Sequence, residues 1–317
     1  MPDTLARERI LVTGGSGFIG QHLLRALVAL GSRPTATTRS LTELQVPHDL
    51  RDAVDWVKID WLDQPAIDQV WRQERPEVLF HLAGVRLADV DKWTDKQNWD
   101  GNAQLLEDLL VGERLDGIRR MVSVGSAEEY GDRDQVLTES LPLEPVTFYG
   151  LAKMNCTLQL LFNYEYHGLP VTILRPFSVY GPGQPDRMFV AQAIAHAVSD
   201  RPFAMTEGRQ RRDLVHVDDM IRALLAAAVA DGVDGQVINI ASGEPRPLRE
   251  VAEMIWRLSG TTAELQIGAR PAPPEELHDT WADISRAREL LKWEPRVDLE
   301  TGLRQTIDWA RTAIKAD

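Results

Sequence analysis

The sequence carries its strongest local pattern in one run, Ile10-Leu11-Val12-Thr13-Gly14-Gly15-Ser16-Gly17-Phe18-Ile19-Gly20. A short apolar strand leads into glycines and then into a segment with helical periodicity. Glycine permits the tight turn, allows the backbone to approach a pyrophosphate, and lets strand and helix pack closely. The free N–H groups at the helix N-terminus suit phosphates. A bare glycine turn is the alternative, but the position between strand and helix favours a dinucleotide site that uses Gly14, Gly17, Phe18, Ile19 and Gly20.

Outward from this turn, apolar runs and helical segments alternate through the first half of the chain. A long helix is predicted from Gln97 to Leu115 and another from Tyr149 to His167. This alternation predicts an α/β fold with a doubly wound parallel sheet, the Rossmann arrangement. Prolines and glycines crowd the chain after Arg175, and the rest is expected to form a smaller mixed α/β lobe. We place the dinucleotide-binding domain at residues 1–178 plus 213–241, and the substrate lobe at 179–212 plus 242–317.

The charge balance excludes one class of partner. The chain has 35 basic and 48 acidic residues, a net charge of −13, whereas a nucleic-acid binder needs a basic face. Cys156 is the only cysteine, so an internal disulfide and a cysteine-based zinc site are excluded. The first residues lack the apolar segment of a secretory signal, and the longest uncharged apolar run, 223–230, is too short to span a bilayer. A cytoplasmic protein that binds neither nucleic acid nor membrane is expected.

Arg39 bears on whether the expected dinucleotide carries a phosphate at the 2′ position of its adenosine ribose. It follows Gly20 by nineteen residues, and no Asp or Glu occurs between Gly31 and Thr42. A carboxylate there would bind ribose hydroxyls and repel a 2′-phosphate, whereas a guanidinium pairs with that phosphate. Arg39 therefore favours NADP over NAD. An exposed arginine at a strand end is the alternative.

Three side chains form a candidate catalytic set. Tyr149 and Lys153 are four residues apart, which puts both on one face of a helix. A neighbouring ammonium favours the phenolate, so the pair suits general acid–base chemistry. Ser126 follows a predicted strand at the end where doubly wound sheets bind ligands. The Tyr-x-x-x-Lys spacing alone is common by chance, and its place after the glycine turn gives it weight.

These motifs occur in a familiar order together with several others. The further matches are Asp60, His81-Leu82-Ala83-Gly84, Asn98 to Gly101, Ser126 to Gly131, Arg175 to Gly183, Arg212 to Asp219, Trp281 to Ser285 and Leu291 to Pro295. Nearly end to end, the sequence resembles the extended short-chain dehydrogenase/reductases. This family contains nucleotide-sugar epimerases, dehydratases and 4-ketoreductases.

The resemblance implies roles for matching positions. Ser126, Tyr149 and Lys153 would be catalytic. The cofactor would be contacted by Asp60, Trp61, Leu62, Leu82, Ala83, Gly84 and Pro176, with Tyr149 and Lys153 at its nicotinamide end. The substrate would be contacted by Ala127, Glu128, Ser178, Arg212 and Arg270, with the two arginines on its diphosphate. The segment from His216 to Asp219 resembles a structural motif of the family, so no metal is predicted.

Departures from the family pattern guide the choice of reaction. Ala127 stands where one class of dehydratase has an aspartate, although Glu128 matches the glutamate that another class keeps. Ser178 replaces a common asparagine and Phe148 a common proline. With Arg39, these features predict NADP(H)-dependent reduction of a 4-keto-6-deoxy nucleotide sugar, with Tyr149 as general acid. The alternatives are a nucleotide-sugar 4-epimerase or dehydratase with tightly bound NAD, and a non-catalytic dinucleotide-binding regulator. By resemblance we expect a homodimer through the helices that begin near Gln97 and Tyr149.

Overall fold

The computed structural model describes residues 2–38, 41, 46–61, 63–85, 92–272 and 279–314. The strands are β1 Ile10–Thr13, β2 Thr35–Thr38, β3 Asp55–Lys58, β4 Val78–His81, β5 Arg120–Val124, β6 Val171–Pro176, β7 Ser178–Tyr180, β8 Phe203–Met205, β9 Arg211–His216, β10 Val237–Ile240, β11 Pro245–Pro247 and β12 Leu265–Ile267. The α-helices are α1 Phe18–Ala29, α2 His48–Ala53, α3 Gln64–Glu74, α4 Lys92–Trp99, α5 Leu105–Leu109, α6 Phe148–His167, α7 Phe189–Val198, α8 Val217–Val229, α9 Leu248–Ser259, α10 Ser285–Leu291 and α11 Leu299–Ile314.

The central sheet has seven parallel strands in the order β10-β6-β5-β4-β1-β2-β3. The chain first builds outward from β1 to β3 and then restarts on the other side of β1 at β4. Ligands of open α/β sheets bind at such a switch point, outside the carboxyl ends of the strands. The glycine-rich turn leaves β1 at this point.

Helices cover both faces of the sheet, which is why its central strands are mostly apolar. One buried cluster joins the sheet to α1 and α8, and a second joins the opposite face to α3, α5 and α6. β1 and β4 are buried along their whole length. The three layers confirm the predicted doubly wound Rossmann sheet.

Helices α7, α9 and α11 and the short strands β7, β8, β9, β11 and β12 form a smaller mixed α/β lobe. Its core joins α7, α9 and α11, and its strands form one three-stranded sheet, β11-β9-β7, and one β12-β8 pair. The domain boundaries given above remain a prediction.

The helix predicted from Gln97 to Leu115 is not continuous. α4 ends at Trp99, a π-helical turn covers Asp100–Gln104, and α5 follows. At this turn the Asn102 side-chain amide donates hydrogen bonds to the carbonyl oxygens of Asn98 and Val85, each with a donor–acceptor distance of 2.7 Å. This side chain ties the helix to the loop after β4, a contact that helical periodicity does not reveal.

Candidate active site

A cavity of about 830 Å³ opens at the carboxyl ends of the central strands and extends to the smaller lobe. Most of the residues predicted from the sequence line it: Gly14, Gly17, Phe18, Ile19, Gly20, Leu82, Gly84, Ser126, Ala127, Glu128, Tyr149, Lys153, Pro176, Ser178 and Arg212. The candidate cofactor, catalytic and substrate residues therefore face one continuous space.

Other predicted residues lie elsewhere. Asp60, Trp61, Ala83 and Arg270 are not among those that line the cavity. Ala83 is buried directly behind the glycine turn, whereas Arg270 is exposed, so its proposed contact with a diphosphate remains a prediction. Arg39 and Leu62 fall outside the residues that the structure describes.

The glycine-rich turn is sterically closed to larger residues at Gly14 and Gly20. A Cβ on Gly14, whose φ is +71°, would lie 2.7 Å from the Ala83 nitrogen. A Cβ on Gly20 would lie 2.3 Å from the Gly14 carbonyl oxygen. Gly17 is the N-cap of α1, and among the residues that the structure describes no side chain caps this helix N-terminus. The turn thus presents bare backbone and uncapped N–H groups to the cavity, an arrangement that suits a pyrophosphate.

A buried polar chain supports this turn from behind. The Ala83 N–H donates to Thr13 Oγ1 over 3.2 Å, and that oxygen lies 2.9 Å from His81 Nδ1. Burial, together with the charge of Lys153, lowers the pKa of His81 to about 3. His81 is therefore neutral at physiological pH and can accept the Thr13 proton, so it serves as a structural support, as a histidine at a buried strand end commonly does.

The next part of the cavity offers polar groups at Gly84. A Cβ there would lie 2.5 Å from Asn102 Oδ1 and 3.3 Å from Lys153 Nζ, so only glycine leaves this passage open. Asn102 Oδ1 is buried and has no hydrogen-bond partner among the described residues. An unused acceptor, an ammonium and a bare backbone suit the hydroxyls of a ribose. The residues present thus fit a nicotinamide dinucleotide laid from the glycine turn toward Lys153.

Ser126 is held at the end of β5 as the N-cap of a short 3₁₀ helix, Ala127–Tyr130. Its Oγ accepts the Glu128 N–H over 3.1 Å, and its own N–H donates to Glu129 Oε1 over 2.7 Å. A serine hydroxyl can accept and donate hydrogen bonds at the same time. The bond from Glu128 fixes the hydroxyl oxygen through a lone pair, and the O–H can still donate to a ligand oxygen.

Tyr149 and Lys153 come from the first two turns of α6. The N-cap Thr147 accepts the Gly150 N–H over 3.0 Å and donates to Glu128 Oε2 over 2.8 Å. Thr147 therefore fixes both the start of α6 and a carboxylate in the cavity. Lys153 is buried, and its Nζ donates to the Val124 carbonyl oxygen over 3.0 Å. The helix spacing and these anchors place Ser126, Tyr149 and Lys153 along one wall.

The end of the cavity formed by the smaller lobe carries two guanidinium groups. Arg212 lies on β9, and Arg187 lies in the loop before α7, where it is exposed at the cavity edge. The neighbouring Arg211 instead pairs with Asp279 and stacks on Trp281 at 4.6 Å. Arg187 and Thr147 were not assigned as site residues from the sequence. For Arg187, the proline- and glycine-rich loop indicated only that this stretch crosses between the two parts of the chain. For Thr147, the available signal was a threonine in the N-cap position just before a predicted helix.

The described part of the chain lacks both a metal-binding cluster and a membrane-spanning helix. It contains no group of three or more His, Cys, Asp or Glu side chains placed to hold a metal ion. Within the same ranges, no helix has the length and apolar character needed to span a membrane.

The fold and this cavity define a Rossmann-type enzyme with a Ser/Tyr/Lys site. Residues 10–241 match the NAD dependent epimerase/dehydratase family, and the chain belongs to that family, as the resemblance predicted. Its relatives catalyse different reactions. UDP-N-acetyl-alpha-D-glucosaminuronate decarboxylase of Bacillus cytotoxicus is 29% identical over 96% of this chain and 98% of its own length.

Solved structures give a similar picture. UDP-glucose 4-epimerase of Thermotoga maritima, solved with UDP-glucose, has a TM-score of 0.88 and 27% identity, and the match covers 96% of this chain and 99% of that one. UDP-glucuronic acid 4-epimerase of Bacillus cereus, solved in complex with NAD, has a TM-score of 0.85 and 26% identity, with 97% and 98% covered. These structures contain NAD or a UDP-sugar, and they give no support to the NADP preference argued from Arg39.

Proposed function

We propose that the protein is an NAD-dependent 4-epimerase of a UDP-sugar. The observation that carries the proposal is the convergence of Ser126, Tyr149 and Lys153 on one cavity that also holds the glycine-rich turn and Arg212. The 4-epimerases among its relatives support the reaction. This places the epimerase alternative ahead of the NADP(H)-dependent 4-ketoreductase that the sequence favoured.

The residues of the wall divide the chemistry between them. Bound NAD would supply reversible hydride exchange at the sugar C4. Tyr149 would take the proton of the C4 hydroxyl and later return it, with the ammonium of Lys153 favouring the phenolate. Ser126 would donate a hydrogen bond to the same oxygen and stabilise the carbonyl form. Arg187 and Arg212 would bind the diphosphate, because guanidinium groups pair with phosphate through two parallel hydrogen bonds.

The proposed cofactor is NAD, retained through the reaction. An epimerase needs no external reductant, since each turnover restores the cofactor. Denaturing the purified protein and identifying the released dinucleotide by mass spectrometry distinguishes NAD from NADP. Recovery of NADP would restore the role assigned to Arg39.

The activity test uses UDP-glucose and UDP-glucuronate without added reductant. We expect interconversion of the C4 epimers, detected by chromatography of the sugar nucleotides. Loss of NADPH absorbance with a 4-keto sugar nucleotide, and no epimer formation, would instead indicate the reductase. Normal dinucleotide binding without turnover on either substrate would favour the regulator.

A second candidate function rests on Glu128. Its carboxylate lines the cavity and is fixed by Thr147, a placement that suits a base for elimination of water from a 4-keto sugar. A dehydratase of this kind would also retain NAD. Formation of a 4-keto-6-deoxy product, visible by its ultraviolet absorbance in alkali, would favour this candidate over the epimerase.

We further propose that the protein forms a homodimer through α6. Apolar side chains recur along one exposed side of this helix at helical spacing: Leu151, Leu158, Phe162 and Tyr166. A contiguous exposed stripe of this kind commonly marks an interface. The same side of an identical subunit would cover it by two-fold symmetry.

A further inference from the structure

Behind Ser126 lies a fully buried ion pair that has no role in the chemistry described above. The Glu129 side chain has 0% exposure and that of Arg175 has 3%. Arg175 donates from Nε and Nη2 to Glu129 Oε2, each over 2.8 Å. Two charges removed from water are costly unless their geometry and hydrogen bonds are complete. The position of this pair next to the site therefore calls for an explanation.

Every partner of the Glu129 carboxylate is a donor. Oε1 accepts the Ser126 N–H over 2.7 Å, and Oε2 accepts Thr157 Oγ1 over 2.8 Å in addition to Arg175. Burial raises the pKa of Glu129, and Arg175, Ser126 and Thr157 oppose that rise. The carboxylate thereby links the segment after β5, which carries Ser126, to Arg175 on β6 and Thr157 on α6.

Gly125 is part of the same arrangement. A Cβ at this position would lie 2.5 Å from Glu129 Oε1 and 3.2 Å from Arg175 Cγ. Any other residue would push the carboxylate away from the Ser126 N–H. The chain thus reserves space beside Ser126 for this carboxylate.

We propose that Glu129 is a positioning residue for Ser126. Held by Arg175 and Thr157, it fixes the Ser126 backbone, while the Glu128 N–H fixes the serine oxygen. The hydroxyl proton then has a set direction toward the oxygen that reacts in the cavity. This inference rests on the proposed function, in which Ser126 donates to the C4 oxygen of the sugar.

The test is a double-mutant cycle between Glu129→Gln and Ser126→Ala. An amide has only one oxygen, so glutamine must turn its NH₂ toward the Ser126 N–H or toward Arg175, and either contact opposes two donors. We expect Glu129→Gln to lower kcat by about 10- to 100-fold, within the range seen for loss of one oxyanion donor, with KM for the UDP-sugar changed less than about twofold. In the Ser126→Ala background the same change should have little further effect.

Two controls separate positioning from general stability. Asp234→Asn breaks the Arg120–Asp234 ion pair at the opposite end of β5 and should leave kcat unchanged. Thr157→Val removes a single hydrogen bond to Glu129, and it should give a smaller kcat loss that also disappears in the Ser126→Ala background. Thr157→Val keeps the cycle measurable even if Glu129→Gln does not fold.

A readout without substrate keeps the two proposals apart. Amide hydrogen exchange at Ser126 should be faster in Glu129→Gln or Thr157→Val than in wild type or Asp234→Asn. Unchanged exchange at Ser126, or equal kcat losses with and without Ser126, would overturn the positioning role. Absence of wild-type turnover would refute the epimerase proposal alone, since the exchange result stands independently.

Discussion

Lys153 Nζ and the Val124 carbonyl oxygen are joined by a hydrogen bond of 3.0 Å that ties α6 to the last residue of β5. Ser126 lies two residues after Val124, the end of that strand. The bond therefore helps to set the spacing between the two segments that carry the proposed catalytic side chains. The ammonium also lies close to Gly84, where a Cβ would come within 3.3 Å of it and where a nicotinamide ribose is expected.

Tyr149→Phe tests the proton transfer. Removal of the hydroxyl should lower kcat by at least about 10²-fold, because a well-placed acid–base group contributes about 10²–10⁴-fold. NAD content should stay at the wild-type level. The matched control is Tyr166→Phe on the exposed side of the same helix, which should retain activity. Equal activity in the two variants would remove Tyr149 from the mechanism.

Alanine at Gly20 should lower the stability of the fold, whereas alanine at Gly17 should lower the affinity for NAD. At Gly20 the new Cβ meets backbone at 2.3 Å, so we expect a stability loss of about 1–3 kcal/mol from overpacking. At Gly17 the nearest atom, the Gly14 oxygen, is 3.2 Å away, so the fold should tolerate the methyl group while NAD binding weakens about tenfold or more. Thermal melting and NAD titration separate the two effects. A Gly17→Ala protein with normal NAD affinity would contradict the placement of the pyrophosphate.

Arg187→Ala and Arg212→Ala test the diphosphate site. Each should raise KM for the UDP-sugar by about 10- to 100-fold, since a hydrogen bond to a charged group contributes about 1.5–3 kcal/mol. Arg209→Ala is the control, because this arginine is highly exposed and does not line the cavity. A shift of the same size in all three variants would indicate only a general charge effect.

His81 should make the fold sensitive to acid. Its folded-state pKa, about 3, lies below the usual value near 6.5, so below pH 6.5 the unfolded chain takes up a proton that the folded chain does not. The free energy of unfolding should fall by about 2 kcal/mol from this group between pH 7 and pH 5. His81→Gln should flatten that part of the pH profile in chemical denaturation. An unchanged slope would mean that the pKa of His81 is the same in the folded and the unfolded chain.

Leu158→Glu tests the α6 interface. A buried, unpaired carboxylate is costly, so the variant should sediment as a monomer where the wild type sediments as a dimer. Trp309→Glu places the same charge at an exposed apolar position on α11 and should leave the association unchanged. A wild-type monomer at micromolar concentration would end the dimer proposal.

The sequence predicted the parts of this site whose chemistry is local. The glycine turn is a run of adjacent residues, and helical spacing alone puts Tyr149 and Lys153 on one face. Ser126 follows from the rule that parallel strands bring their carboxyl ends to one edge of a sheet. These predictions required no knowledge of distant contacts.

The parts that could not be predicted depend on such contacts. Glu129 and Arg175 are 46 residues apart and meet only because β5 and β6 are neighbours. The π-helical turn forms where the Asn102 side chain reaches Val85, seventeen residues earlier. The position of Arg187 depends on the path of the loop before α7. Amino-acid composition can predict that a loop is present, but it does not predict the path that the loop takes.

The fit between Gly125 and Glu129 has a consequence for how this protein can diverge. A larger residue at position 125 would collide with the carboxylate, and a shorter residue at 129 would leave Ser126 and Arg175 without their acceptor. Neither position can change first without loss, so homologues should vary at the two positions together. Ser126 would then be inherited together with a linked pair of neighbours, and an ancestor that lacked Gly125 or Glu129 should also lack the other.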